Sequence, residues 1–147
     1  MARIKLYTIG FTKRKAKDFF GKLRQVGIHK IIDVRLNNVS QLAGFAKRDD
    51  LKFFLKELCH CEYNHRPDFA PTKKILDDYK KKKIDWDEYV VLFNKLIKER
   101  RIESKISLDE LNNSCFLCSE PTAEKCHRRL VAEYLQDKLG SIEIIHL

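Results

Sequence analysis

The chain has 147 residues, 44% of them hydrophobic, which suits one domain over residues 1–147 with a self-sufficient core and leaves no room for two. Its formal charge of +9, from 30 Lys and Arg against 21 Asp and Glu, favours anionic partners such as phosphates, nucleotides or nucleic acid. No apolar run approaches the roughly 18 to 20 residues that cross a bilayer, and the opening MARIKLYTIG reaches Gly10 too soon for a secretory leader, so the chain reads as cytoplasmic with no membrane partner.

Ile4 to Ile9 is a short apolar run closing on Gly10, and Thr12 is placed to cap a helix whose Phe19, Phe20, Leu23 and Val26 recur at helical spacing. Gly27 stops that helix, and Ile28 to Val34 follows as a buried strand closing on Asp33 and Arg35, which completes a βαβ unit. Leu36 to Arg48 is polar and aperiodic, a loop over the strand ends. A helix starting at Asp49 or Asp50 carries Leu51, Phe54, Leu55 and Leu58. Glu62 to His65 is a short third strand, and Arg66 to Pro71 holds two prolines and is irregular. From Thr72 a helix with Ile75, Leu76 and Tyr79 runs into Lys80 to Lys83.

Asp85 and Glu88 have capping-box spacing ahead of the stripe Trp86, Tyr89, Val90, Phe93, Leu96 and Ile97. Ser107 and Glu110 mark a short capped turn, and Cys115 to Cys118 is a compact apolar strand. After Pro121, Thr122 is placed to cap a helix bearing Leu130, Val131, Tyr134, Leu135 and Leu139, which ends at Gly140. Glu143 to Ile145 supplies the last strand. The order β-α-β-α-β-α-α-β-α-β predicts a single three-layer α/β domain, about five mostly parallel strands with helices on both faces, Rossmann- or flavodoxin-like.

Open α/β sheets bind ligands beyond the carboxyl ends of their strands. The residues expected there are Gly10 and Thr12, Asp33 and Arg35, His65, Cys118 and Glu120, and then the triplet Cys126, His127, Arg128 near a helix start. An anion site would use Gly10, Thr12, Arg35 and Arg128. Catalytic candidates are Asp33 or Glu120 for a proton, Cys118 or Cys126 as nucleophile, and His127 beside them. A cap at Thr122 would set Cys126 just past the first turn, where the helix dipole still acts. The competing reading makes Asp33, Arg35, Glu120 and Arg128 a structural ion-pair network, and Cys126 a small buried residue.

The five cysteines, Cys59, Cys61, Cys115, Cys118 and Cys126, are an odd number without an export signal, and read as reduced thiols. Cys115, Cys118, Cys126 and His127 have the look of a zinc set. An odd separation along a strand, however, sends the side chains of Cys115 and Cys118 to opposite faces. Cys59, His60 and Cys61 lack a second pair, so no metal is expected. No cofactor is called for either: the chain has no P-loop and no GxGxxG. It also lacks the phosphatase spacing C-x5-R, since Glu124 and Ala132 stand where the arginine would be. The basic runs at Lys13 to Lys17, Lys80 to Lys83 and around Lys98, Arg100 and Arg101 are also what a solvated Lys-rich surface would show. His29, His60 and His146 read as ordinary surface or satisfied histidines.

Several segments together carry a resemblance: YTIGFT at Tyr7 to Thr12, DVR at Asp33 to Arg35, the loop with Ser40 and Phe45, Tyr63, CSE at Cys118 to Glu120, CHR at Cys126 to Arg128, and the terminal IIHL. Over essentially the whole chain they resemble the domain of unknown function 488 family. The pairing of LC-x-E with CHR is the specific part. The resemblance implies a small α/β fold and matching motif positions at Gly10, Asp33, Arg35, Cys118, Glu120, Cys126, His127 and Arg128, and no activity. Asn38 stands where family members tend to have Pro, and Arg66 to Ala70 replaces a segment that usually holds Leu-Gly.

Two functional readings follow. One is an enzyme acting on a phosphate-bearing small molecule or nucleotide through the strand-end cluster. The alternative is a non-catalytic module binding nucleic acid or a nucleotide with the same crevice and the basic surface. Neither sets an oligomeric state.

Overall fold

A computed structural model describes residues 3–38, 44–120 and 122–147. Ser40 and Pro121, which the sequence reading used, lie outside those residues. The elements are β1 (Ile4–Gly10), α1 (Ala16–Val26), β2 (Lys30–Asp33), α2 (Arg48–Cys59), β3 (Glu62–His65), α3 (Lys73–Lys80), α4 (Trp86–Arg100), the short α5 (Leu108–Leu111), β4 (Ser114–Cys118), α6 (His127–Leu139) and β5 (Ile142–His146). Short 3-10 turns at Gly44–Ala46, Pro67–Phe69 and Ile102–Ser104 lie between them.

The strands form one five-stranded sheet in the order β3-β2-β4-β1-β5, and every pairing is parallel. This is the three-layer α/β fold expected from the alternation of elements. The expected βαβ unit forms around a gap one strand wide, which β4 fills. One layer packs Phe19, Phe20 and Leu23 of α1 and Leu51 and Leu55 of α2 against Tyr7, Ile9, Ile31, Cys115 and Leu117. The other packs Tyr89, Phe93 and Ile97 of α4 and Leu130, Val131 and Leu135 of α6 against Leu6, Ile32, Phe116 and Cys118. The period-2 alternation along β4 therefore places Cys115 in one core and Cys118 in the other.

Local chemistry sets most boundaries. The Asp85 side chain accepts from Glu88 N at 2.9 Å and starts α4, Thr72 accepts from Ile75 N to start α3, and Ser107 accepts from Glu110 N to start α5. Two expected caps are displaced. The N-cap of α1 is Lys15 rather than Thr12, because Thr12 N donates to Ser119 O and Arg14 N to Phe11 O, which holds residues 11 to 14 in a turn tied to the loop after β4. The N-cap of α6 is Cys126 rather than Thr122. Cys126 is itself extended, at φ −137° and ψ 138°, with no side-chain cap, so its thiol is left to face β4. Among the described residues no helix is long and apolar enough to cross a membrane.

Candidate functional site

Register aligns the strand tips: Gly10 pairs with Cys118, and Asp33 with Leu117. From β2 the chain departs towards α2 on one layer, and from β4 it departs towards α6 on the other. Such a divergence opens a crevice between the two exit loops. A cleft of about 300 Å³ lies there, lined by Arg35, Leu36 and Asn37 from the first loop and by Cys118, Ser119, Glu120, Lys125, Cys126 and His127 from the second. Tyr79 and Lys80 of α3 and Trp86 and Tyr89 of α4 complete it.

Its floor is chemically the richest part of the molecule. Ligand atoms of Cys118, Cys126 and His127, all buried, lie within 4.8 Å of one another. Cys118 Sγ is 3.6 Å from His127 Nδ1 and 4.0 Å from its Nε2, so the sulfur lies over the imidazole rather than along either nitrogen's in-plane axis. His127 Nε2 meets Val34 O at 2.6 Å; since a carbonyl only accepts, Nε2 carries the hydrogen of this bond. The Cys118 thiol is shifted down by a hydrogen bond from the Cys126 thiol, and burial opposes this. Arg128 and the backbone N–H groups of Ser119 and Glu120 help to lower it. Burial pushes the Cys126 thiol well up, and its bond to Cys118 adds to that. The two sulfurs titrate as a pair whose anionic form centres on Cys118.

Arg128 is fully buried and braces this floor from behind. Its Nη1 donates to Glu120 O at 2.6 Å and its Nε to the Thr8 hydroxyl at 3.3 Å. The Thr8 Oγ1 is also hydrogen-bonded to His146 Nδ1 at 2.6 Å. Gly10 makes the close approach of the Glu120 carbonyl feasible, because a Cβ at residue 10 would sit 1.6 Å from that oxygen. No carboxylate bonds to Arg128 among the described residues, and its Nη2 is buried without a hydrogen-bond partner.

Arg35 has the carboxylate partner that Arg128 lacks, although its own Nη1 is likewise buried without a hydrogen bond. It forms a two-pronged pair with Asp33, Nε to Oδ1 at 2.9 Å and Nη2 to Oδ2 at 2.7 Å, with both side chains buried. Nη2 also donates to Ala46 O, Tyr63 donates its hydroxyl to Asp33, and Asn38 donates its amide to the Tyr63 oxygen. Burial works to lower the guanidinium pKa, but the bonds to Asp33 outweigh it and raise it. Burial, and Asp33 beside it, push the Tyr63 phenol up. The residue at 38 that departs from the family's usual Pro thus adds a donor to the network.

Cys118, Cys126, His127 and Glu120 share the cleft with Arg35, whereas Asp33 is consumed by its ion pair and Arg128 stands beneath the floor. Thr12 is tied through its backbone to Ser119. His65 Nε2 meets Arg35 O at 2.7 Å and holds the β2 loop. Sequence reasoning missed the wall. Trp86 and Tyr89 read as part of an apolar stripe and Tyr79 as a residue of the helix from Thr72, yet all three line the cleft, with Trp86 and Tyr89 stacked at 5.1 Å and 15°. Three aromatics and Lys80 within the eleven residues from Tyr79 to Tyr89 was the available signal.

Residues 15–135 match the family described as "Domain of unknown function DUF488", and the chain belongs to that family. No curated protein and no solved structure matches it significantly.

Proposed function

We propose that this member of the family is an enzyme acting on a small phosphate-bearing molecule, with a nucleotide the best fit. The observation that carries the reading is the composition of one cleft, with the Cys118, Cys126 and His127 floor, the Tyr79, Trp86 and Tyr89 wall, and the lysines Lys80 and Lys125 all lining it. Flat aromatic faces suit a base, ammonium groups suit phosphate, and a buried cluster of two thiols and an imidazole is a reactive element that simple adhesion does not need. Glu120, exposed at the rim, is the carboxylate free to carry a proton, because Asp33 is held by Arg35 and Tyr63.

Trp86 is the single tryptophan of the chain, so its fluorescence reports on the cleft directly. Nucleoside phosphates are expected to quench it saturably while inorganic phosphate does not. Lys125→Ala should weaken the binding on the order of tenfold, the worth of a charge-assisted hydrogen bond. Indifference of Trp86 to every nucleotide tried would remove the reading.

The second reading, a non-catalytic nucleic-acid- or nucleotide-binding module, is favoured by one observation. Tyr79, Lys80, Lys82 and Lys83, together with Asp85 and Glu88, line a depression next to the cleft in which lysines outnumber carboxylates. Binding that falls steeply with salt, with no product formed from any nucleotide, would select it.

A further inference from the structure

The spacing argument that separates Cys115 from Cys118 does not touch Cys126 and His127, which return to β4 from beyond the strand. The loop after β4 brings them back so that three donor atoms, two sulfurs and one imidazole nitrogen, come within 4.8 Å of one another. A tetrahedral ion with metal–sulfur bonds of about 2.3 Å and metal–nitrogen bonds of about 2.0–2.1 Å needs a sulfur–nitrogen edge of about 3.6 Å and a sulfur–sulfur edge of about 3.8 Å. Cys118 Sγ and His127 Nδ1 stand at 3.6 Å, and the remaining edges, within 4.8 Å, have to close by about an ångström at most to reach those lengths. A turn of the imidazole about its bond to Val34 would bring the Nδ1 lone pair onto the ion.

The surroundings are those of a metal ligand set. Nε2 is already committed to the Val34 carbonyl at 2.6 Å, the kind of outer bond that fixes a ligating histidine and leaves its other nitrogen for the metal. Arg128 holds the turn after Cys118 through the Glu120 carbonyl. All three ligands are buried, yet all three line the cleft.

We propose that Cys118 Sγ, Cys126 Sγ and His127 Nδ1 bind one Zn²⁺ ion per chain, with a fourth coordination position open to the cleft. Two thiolates and an imidazole are the donor set that zinc takes, and three protein ligands rather than four mark a catalytic arrangement. Metal binding rests on the three side chains alone. Its catalytic use rests on reading the cleft as an active site, where the ion would polarise a substrate oxygen or a bound water.

The test uses the full chain, reduced and stripped of metal, titrated with Co²⁺. One equivalent should produce a thiolate-to-cobalt charge-transfer band and the intense visible bands of tetrahedral cobalt, and Zn²⁺ should abolish both. Cys118→Ser, Cys126→Ser and His127→Ala should each weaken cobalt binding at least about tenfold, while Cys115→Ser and Cys59→Ser leave it unchanged. In case the ligand variants do not fold, alkylation of the wild-type protein gives the same answer: zinc should shield Cys118 and Cys126 from iodoacetamide, and a chelator should release both. Absence of a thiolate–cobalt band in the reduced wild-type chain, its persistence in Cys118→Ser, or equal alkylation with and without zinc overturns the site. Trp86 quenching measured with chelator present separates the two claims. Nucleotide binding without metal binding leaves the cleft reading standing on free thiols, and metal binding without nucleotide binding leaves the zinc site without that substrate.

Discussion

Two buried guanidiniums stand at neighbouring strand tips, and their surroundings differ in kind. Arg35 at the end of β2 meets a carboxylate in two-pronged geometry, and that carboxylate is in turn held by Tyr63. Arg128, beneath the ends of β1 and β4, has a hydroxyl and a backbone carbonyl for partners and no carboxylate, although each guanidinium keeps one buried terminal nitrogen without a hydrogen bond, Nη1 of Arg35 and Nη2 of Arg128. A closed ion pair balances its own charge and can serve stability alone. An arginine buried without a carboxylate keeps its charge, and the groups that feel it include the Cys118 and Cys126 thiols and the His146 ring. The β2 tip therefore reads as a fastening, and the β1–β4 tip as the part of the fold shaped around chemistry.

The comparison breaks most readily at Asp33. Asp33→Ala leaves Arg35 buried and charged without its partner, and such losses cost about 3–5 kcal/mol. Urea unfolding should show a loss of that size. A loss under about 1 kcal/mol would mean that the pair is not the fastening described here.

Gly10→Ala should come next, at about 1–3 kcal/mol. The added methyl would meet the Glu120 carbonyl at 1.6 Å, and the loop after β4 can escape only by giving up its bonds to Arg128 and Thr12. Since that loop presents Ser119, Glu120 and Lys125 to the cleft, binding measured through Trp86 should fall together with stability. A variant with native stability and native binding would show that the close approach at Gly10 has no role in shaping the site.

How much of this was legible depended on whether a residue's role was local. The Asp85 cap, the Thr72 cap and the Glu62–His65 strand follow from neighbours in sequence, and they lie where the pattern puts them. The Thr12 and Thr122 caps were misread because each competes with a contact far away: residue 12 is bonded to Ser119, and α6 begins only where Cys126 has turned its thiol towards Cys118. The strand-tip residues were legible as a set, because parallel strands gather their carboxyl ends. Their division into a fastening and a cleft was not, because Asp33, Arg35 and Arg128 differ in partners that only the packed structure supplies. The pairing of Cys118 with Cys126 and His127, rather than with Cys115, depends on the path of a loop that periodicity does not describe.

Arg128→Met tests the other side of the comparison, and a smaller change in stability is expected. The variant loses two hydrogen bonds, one to a carbonyl near the exposed Glu120 side chain. It also relieves a buried charge without a carboxylate, and an unbranched side chain fills most of the vacated length. The two effects should leave folding within about 1.5 kcal/mol of wild type, well short of the Asp33→Ala loss. A loss as large as that of Asp33→Ala would make the two arginines alike and remove the contrast.

The smallest effect is a titration. Burial, and then the charge of Arg128, hold the His146 pKa below its ordinary 6.5. The Thr8 hydroxyl links the two residues, accepting from Arg128 Nε and hydrogen-bonded to His146 Nδ1. A folded-state pKa below the unfolded one means that the native protein binds fewer protons, so stability declines as pH falls below about 6.5 and the decline is complete once pH passes below the folded value. The ring is partly solvated and the change in melting temperature should be slight, so NMR titration of the His146 ring is the sharper measurement. Its midpoint should lie below the ordinary 6.5 in the wild-type chain and move up towards that value in Arg128→Met. A midpoint that does not move would mean that the Arg128 charge does not reach the β5 end of the sheet, and the open network would then end at Thr8.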